Sequence, residues 1–182
     1  MKTLKSIVLK SLFALTFGAH IAIAQEAATS NDAPQPGQTY VKSMEGDWIH
    51  RCVKLQSGSD PCHLFQRVIF NNDSVIAEAQ VVPLTDGGAA VAGITVTVPL
   101  ETALQAPLRF QIDEREAKLY PYAYCTAQGC VANVGLTALE LRAMQKGSQG
   151  LLTIVSIRDP QNPVQVPLSL NGFSAAYNAI SQ

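Results

Sequence analysis

Between residues 47 and 170, apolar and polar positions alternate in short runs bounded by turn-forming residues, the period of half-buried β-strands. The first run is Asp47–Lys54, where Trp48, Cys52 and the stem of Lys54 point one way and Ile49, Arg51 and Val53 the other. Gln56–Pro61 reads Gln-Ser-Gly-Ser-Asp-Pro, a turn, and Cys62–Phe70 returns from it. Asn71-Asn72-Asp73 makes the next turn and leads into Ser74–Val82. These three runs predict an antiparallel meander. Further strands are expected over Ala90–Val98, Leu108–Ile112, Lys118–Tyr124, Val131–Val134, Leu151–Ile157 and Val164–Leu170.

The period changes twice. Thr137-Ala138-Leu139-Glu140 is a capping box: the Thr hydroxyl accepts a backbone N–H of the first turn, and Glu three residues on reaches back. Leu136 and Leu141 stand where a hydrophobic staple would be, and Gly147 is placed to end this helix in the left-handed conformation. Near the C-terminus Phe173, Tyr177 and Ile180 share one helical face, expected to lie against the sheet. Eight or nine short strands with one or two short helices predict an all-β chain folded as a sandwich.

The N-terminus has a different pattern. Lys2, Lys5 and Lys10 precede and enter an apolar run over Ile7–Phe17, and Ala22-Ile23-Ala24 offers small residues at the positions a signal peptidase reads. This predicts a signal peptide over 1–24 with cleavage after Ala24, and export. The apolar run is shorter than the ~20 residues of a spanning helix, and no second such run follows, so no transmembrane segment is expected in the mature chain. Gln25–Gln38 is rich in Ala, Ser, Asn, Pro and Gly, which predicts a disordered tail over 25–43 with the folded domain over 44–182.

The 182 residues carry a net charge of −1, and the predicted signal contains three lysines and no acid, so the remainder is more acidic still. That surface does not suit a phosphate backbone, so no nucleic-acid partner is expected. The strands are too few and alternate too poorly for a lipid-facing barrel.

Four cysteines lie in the exported part, where an even count implies disulfides. Proximity along the chain pairs Cys52 with Cys62 and Cys125 with Cys130. His50, Cys52, Cys62 and His63 together offer nitrogen and sulfur donors, but an oxidised pair withholds its thiolates, so neither a metal nor another cofactor is assigned. The four residues between Cys125 and Cys130 do not match the Cys-x-x-Cys spacing of redox exchange. The chain has no Gly-x-Ser-x-Gly elbow, and Asp113, Glu114 and Glu116 are read as a solvated turn balanced by Arg115 and Lys118. No catalytic residue is assigned, and the chain is expected not to be an enzyme. Trp48 is read as core. Tyr120, Tyr122 and Tyr124 alternate on one face of their expected strand, either as an exposed recognition stripe or as half-buried sheet residues. They are the candidate binding surface.

An ordered set of short pieces resembles the invasion-associated locus B family of exported bacterial proteins. The set begins with Gly46-Asp47-Trp48, Arg51-Cys52, Pro61-Cys62 and Gln66. It continues with Val98-Pro99-Leu100, Leu108–Asp113, Pro121-Tyr122, Cys125 and Gly129–Ala132. The Leu136–Gly147 helix, Pro167–Leu170 and Gly172-Phe173 complete it. The resemblance implies an immunoglobulin-like β-sandwich in the periplasm or at the outer membrane of a Gram-negative cell. It carries no catalytic residues, and a sandwich scaffold by itself specifies no activity. The functional expectation is an exported interaction protein binding a protein or envelope component, with a contribution to host-cell invasion. The alternative is a periplasmic small-ligand or metal-binding module.

Overall fold

In the computed structural model, which describes residues 33–70 and 74–181, the alternating runs pair into two antiparallel sheets. The strands in chain order begin with β1 (Thr39–Glu45), β2 (Trp48–Val53), β3 (Cys62–Phe70), β4 (Ser74–Pro83), β5 (Ala92–Val98) and β6 (Leu108–Ile112). They continue with β7 (Lys118–Tyr120), β8 (Tyr122–Thr126), β9 (Gly129–Leu136), β10 (Gln149–Ile154) and β11 (Val164–Ser169). Helix α1 (Ala138–Lys146) follows β9, and α2 (Phe173–Ile180) follows β11. One sheet has the order β1-β2-β3-β4-β5-β9-β8, the other β11-β10-β6-β7.

The two sheets pack through the apolar half of each alternation. Trp48, Leu64, Val68, Ala79, Val81, Ile94, Val96 and Val134 from the first meet Leu108, Phe110, Leu152, Val166 and Leu168 from the second in one buried cluster. This is the all-β sandwich with two short helices that the sequence predicts. Helix α2 lays Phe173 and Tyr177 into the core, and Phe173 meets the Trp48 ring edge-on at 5.1 Å. Trp48 is fully buried, as expected of core.

One polar clasp joins the sheets. β11 is an edge strand, and Ser169 at its end, paired with Gln149 of β10, turns backbone groups to the side where no strand among the described residues continues its sheet. The buried Gln66 side chain supplies the missing partner: its Nε2 donates to the Ser169 carbonyl at 3.1 Å, and its Oε1 accepts from the Ser169 amide at 2.9 Å. Trp48 Nε1 donates to the same carbonyl at 3.0 Å. Beside the clasp, Gly46 and Gly172 both hold positive φ, and a Cβ on Gly172 would fall 2.0 Å from the Glu45 carbonyl oxygen. The β1–β2 turn and the turn into α2 can therefore touch only as glycines.

Three expectations are corrected. Order does not begin near Met44: Thr39–Glu45 is a strand, although its first five residues fall within the predicted tail. It is an edge strand whose Val41 and Met44 are exposed, so no apolar face announces it. Backbone pairing with β2 and the Tyr40 hydroxyl donating to Asp60 at 2.8 Å hold it. The strand expected over Lys118–Tyr124 is two strands, because Pro121 has no N–H and the chain there crosses from the second sheet to the first. Gly147 ends α1 with extended rather than left-handed backbone. Glycine is required there by crowding, since a Cβ would meet Asp113 Oδ2 at 2.7 Å and the Ala143 carbonyl oxygen at 2.8 Å. The capping box itself is formed, with Glu140 accepting from the Thr137 amide at 2.8 Å. The predicted signal peptide, the tail up to Asp32 and the Asn71–Asp73 turn lie outside the described residues.

The clasp predicts a specific cost. Gln66→Leu keeps the volume but strands the Ser169 amide, and should lower unfolding stability by about 2 kcal/mol. Urea denaturation of the variant beside the parent protein measures it.

Candidate functional site

The three tyrosines do not share a face. Tyr120 pairs with Leu108 on β6 and points with it toward the inside of the second sheet. Tyr122 pairs with Ala132, a core residue of the first sheet, and its hydroxyl is buried without a hydrogen-bond partner among the described residues. Burial pushes that phenol up to about 12. A bulge between Tyr122 and Tyr124 then turns Tyr124 to pair with Val131, and the residue is 56% exposed. The expected single stripe is thus split by Pro121 and by the bulge.

Tyr120 instead lines a cleft of about 240 Å³ between the inner face of β6–β7 and helix α1. The strands contribute Phe110, Ile112 and Tyr120 to it, and Leu136, Leu139 and Ala143 face them from the end of β9 and from α1. Its rim is charged: Arg115, Glu116, Lys118 and Glu140. Lys118 and Glu140 form an ion pair that ties β7 to α1. Burial works against the Glu140 charge, but Lys118 and the Thr137 amide and hydroxyl outweigh it and hold the carboxyl below the ordinary range. The ammonium of Lys118 is correspondingly raised, first by its hydrogen bond to Glu140. Sequence pattern located Glu140 through the capping box but not the cleft. A helix placed over a sheet end is a tertiary arrangement that no local period encodes.

The cysteines pair as expected. Cys52 and Cys62 lie directly opposite on β2 and β3 with their Cα atoms 4.1 Å apart. Cys125 and Cys130 do the same on β8 and β9 at 3.9 Å. His50 shares the inward face of β2 with Trp48 and Cys52 and is 2% exposed, yet its Nε2 has no hydrogen-bond partner among the described residues. Such an atom forfeits about 1–3 kcal/mol of solvation. Burial, then Lys42, lowers the His50 pKa below the usual histidine value. His63 lies opposite Arg51 and is lowered by burial, then by Arg51 and His50. On the outer face Arg51 covers the Phe65 ring at 3.4 Å. Asp113 is tied to the start of β10: its Oδ1 accepts from the Ser148 and Gln149 amides, both at 3.0 Å. Among the described residues, no helix is long and apolar enough to cross a membrane.

Comparison with known proteins agrees with this arrangement. A family model described as "Invasion associated locus B (IalB) protein" matches residues 48–181. Two curated proteins called "Invasion protein B homolog", from Brucella abortus strain 2308 and from Brucella abortus biovar 1 strain 9-941, are each 29% identical over 93 residues. Those 93 residues are 51% of this chain and 53% of each relative, so the chain spans about half the length of the curated relatives it matches. The crystal structure of invasion associated protein b from Bartonella henselae superposes with a TM-score of 0.65 at 23% identity. It covers 76% of this chain and 93% of that one, a likeness of fold.

The ion pair at the cleft has a signed pH dependence. Because the folded-state pKa of Glu140 is depressed, its contribution is complete above its ordinary value of 4.5 and is lost as pH falls below it. Lys118 is raised, so its contribution is complete below 10.5 and is lost as pH climbs past that value. Glu140→Gln keeps the capping reach without the charge. Its Tm should fall less steeply than the parent's between pH 4.5 and pH 3, as read by thermal unfolding at a series of pH values.

Proposed function

Because the chain belongs to the invasion associated locus B family, we propose that it is an exported, non-enzymatic binding protein of a Gram-negative envelope. It acts in the periplasm or at the cell surface and engages a protein or envelope component, with a contribution to host-cell entry. The observation that carries this reading is the cleft between β6–β7 and α1: an apolar floor with a charged rim and an aromatic edge at Tyr120. Such a surface takes an apolar anchor from a partner and fixes its orientation with polar groups around it. Leu139, 62% exposed at the mouth, is the exposed apolar residue a partner would cover. Two disulfides suit an oxidising compartment, and the Lys2–Ala24 pattern suits export to one. The names of the Brucella and Bartonella relatives support the link to invasion.

A photo-cross-linking residue placed at Leu139 in the full chain, expressed in its own cells, tests the reading. One envelope protein should be captured reproducibly. Capture should be lost in a Tyr120→Ser variant of unchanged Tm and kept in Tyr124→Ser, which alters the outer face. Capture that survives Tyr120→Ser, or fails only with Tyr124→Ser, overturns the cleft as the binding surface.

A further inference from the structure

His50 has a buried ring nitrogen with no partner among the described residues, and the imidazole stands beside two sulfurs. A nitrogen of His50 and the Sγ atoms of Cys52 and Cys62 all lie within 4.8 Å of one another. The pleat imposes this cluster: His50 and Cys52 are two residues apart on one face of β2, and Cys62 is directly opposite Cys52 on β3. Buried polar atoms left unsatisfied are rare in folded proteins, and a bound ion is one group that completes them. We propose that, once the Cys52–Cys62 bond is opened by a dithiol reductant, His50, Cys52 and Cys62 form a buried three-donor site for monovalent copper. The site is separate from the cleft and does not rest on the function proposed for it.

The chemistry balances. The dithiol gives up two electrons and two protons and leaves as its own disulfide, while the S–S bond becomes two thiols. Copper(I) then displaces both thiol protons to solvent, forming two Cu–S bonds and one Cu–N bond. Two thiolates and one Cu⁺ leave a single negative charge at the site.

The donor set selects the metal. Soft thiolates favour copper(I), which accepts three ligands, whereas zinc needs a fourth to complete a tetrahedron. Among the described residues the cluster holds three donors, because His63 alternates to the opposite face of β3 and pairs with Arg51. Nearby, the Asp60 carbonyl oxygen is 3.4 Å from Cys62 Sγ, a hard donor suited to accepting a hydrogen bond from the reduced thiol rather than to binding copper. Cys62 is half-buried at the start of β3, which gives reductant and ion a way in. The framework does not rely on the S–S bond alone: β2 and β3 stay paired, and Asp60 holds the turn by accepting from Leu55 N at 2.9 Å and from the Tyr40 hydroxyl.

The test uses the purified protein, reduced with a dithiol, freed of it under anaerobic conditions and titrated against the copper(I)–bicinchoninate complex. Reduced protein should withdraw one equivalent of copper and oxidised protein none. The Cys125→Ser/Cys130→Ser double variant should still withdraw one equivalent after reduction. His50→Leu should bind about tenfold more weakly or worse, as loss of a ligand exceeds loss of its supporting contacts. Should that variant not fold, copper-edge X-ray absorption of the loaded parent protein decides: two sulfurs and one nitrogen support the site, and two sulfurs alone overturn it. Absence of uptake after reduction, loss of uptake in the Cys125/Cys130 variant, or zinc competing on equal terms with copper also overturns it.

Discussion

The sandwich depends on how one edge strand is satisfied. Ser169 ends β11 beside the first sheet with its backbone amide and carbonyl turned away from any ladder. The Gln66 amide meets both at once, as the backbone of a neighbouring strand would, and Trp48 adds a second donor to the carbonyl. The Ser169 hydroxyl donates to Asp47 at 2.6 Å and accepts from the Asn171 amide. A glutamine buried in an apolar core is costly unless both ends of its amide are bonded. Here both are, and the requirement fixes the position of β11 relative to β3. β10 and β6 pair in sequence from β11, so the inner face of β6–β7 takes its place from the same clasp.

The two helices are seated differently. At the clasp, α2 closes the core with aromatic contact, Phe173 against Trp48 and Tyr177. Helix α1, which lies beside α2, stands off β6–β7, with its first turn tied to β7 by Lys118 and Glu140, and the cleft remains between them. Glu140 serves the helix and the sheet together, since the same carboxylate closes the capping box. A group that ends a helix can do so anywhere on the surface. Its placement opposite Lys118 gives the cleft a defined width.

Much of this fold was legible in the sequence because its strands are half buried. Cys62–Phe70, Leu108–Ile112 and the capping box at Thr137 were found at their observed positions, since burial on one face leaves a period that can be read. β1 was not, because its apolar residues face solvent and its place comes from backbone pairing. The tyrosines show a second limit. Alternation predicts a face only while the strand stays in one sheet, and Pro121 followed by a bulge breaks that premise twice in four residues. The cysteine pairing was legible from spacing. The orphaned nitrogen of His50 was not, because a lack of partners appears only once every neighbour is placed.

The interlocked turns at Gly46 and Gly172 carry a consequence for assembly. The residues they join are the first and last parts of the domain, and the Trp48–Ser169 bond spans 121 positions of chain. A polypeptide that emerges from its N-terminal end presents β1 and β2 long before their final neighbours exist. Contacts so distant in sequence are slow to form, because the intervening chain must be gathered first. Until Ser169 and Phe173 are in place, Trp48 lacks both its hydrogen-bond acceptor and its aromatic neighbour, and the apolar face of β1–β3 lacks part of its cover. Such exposed apolar strands invite chance association, so the step that finishes the molecule is also the one that ends its vulnerability.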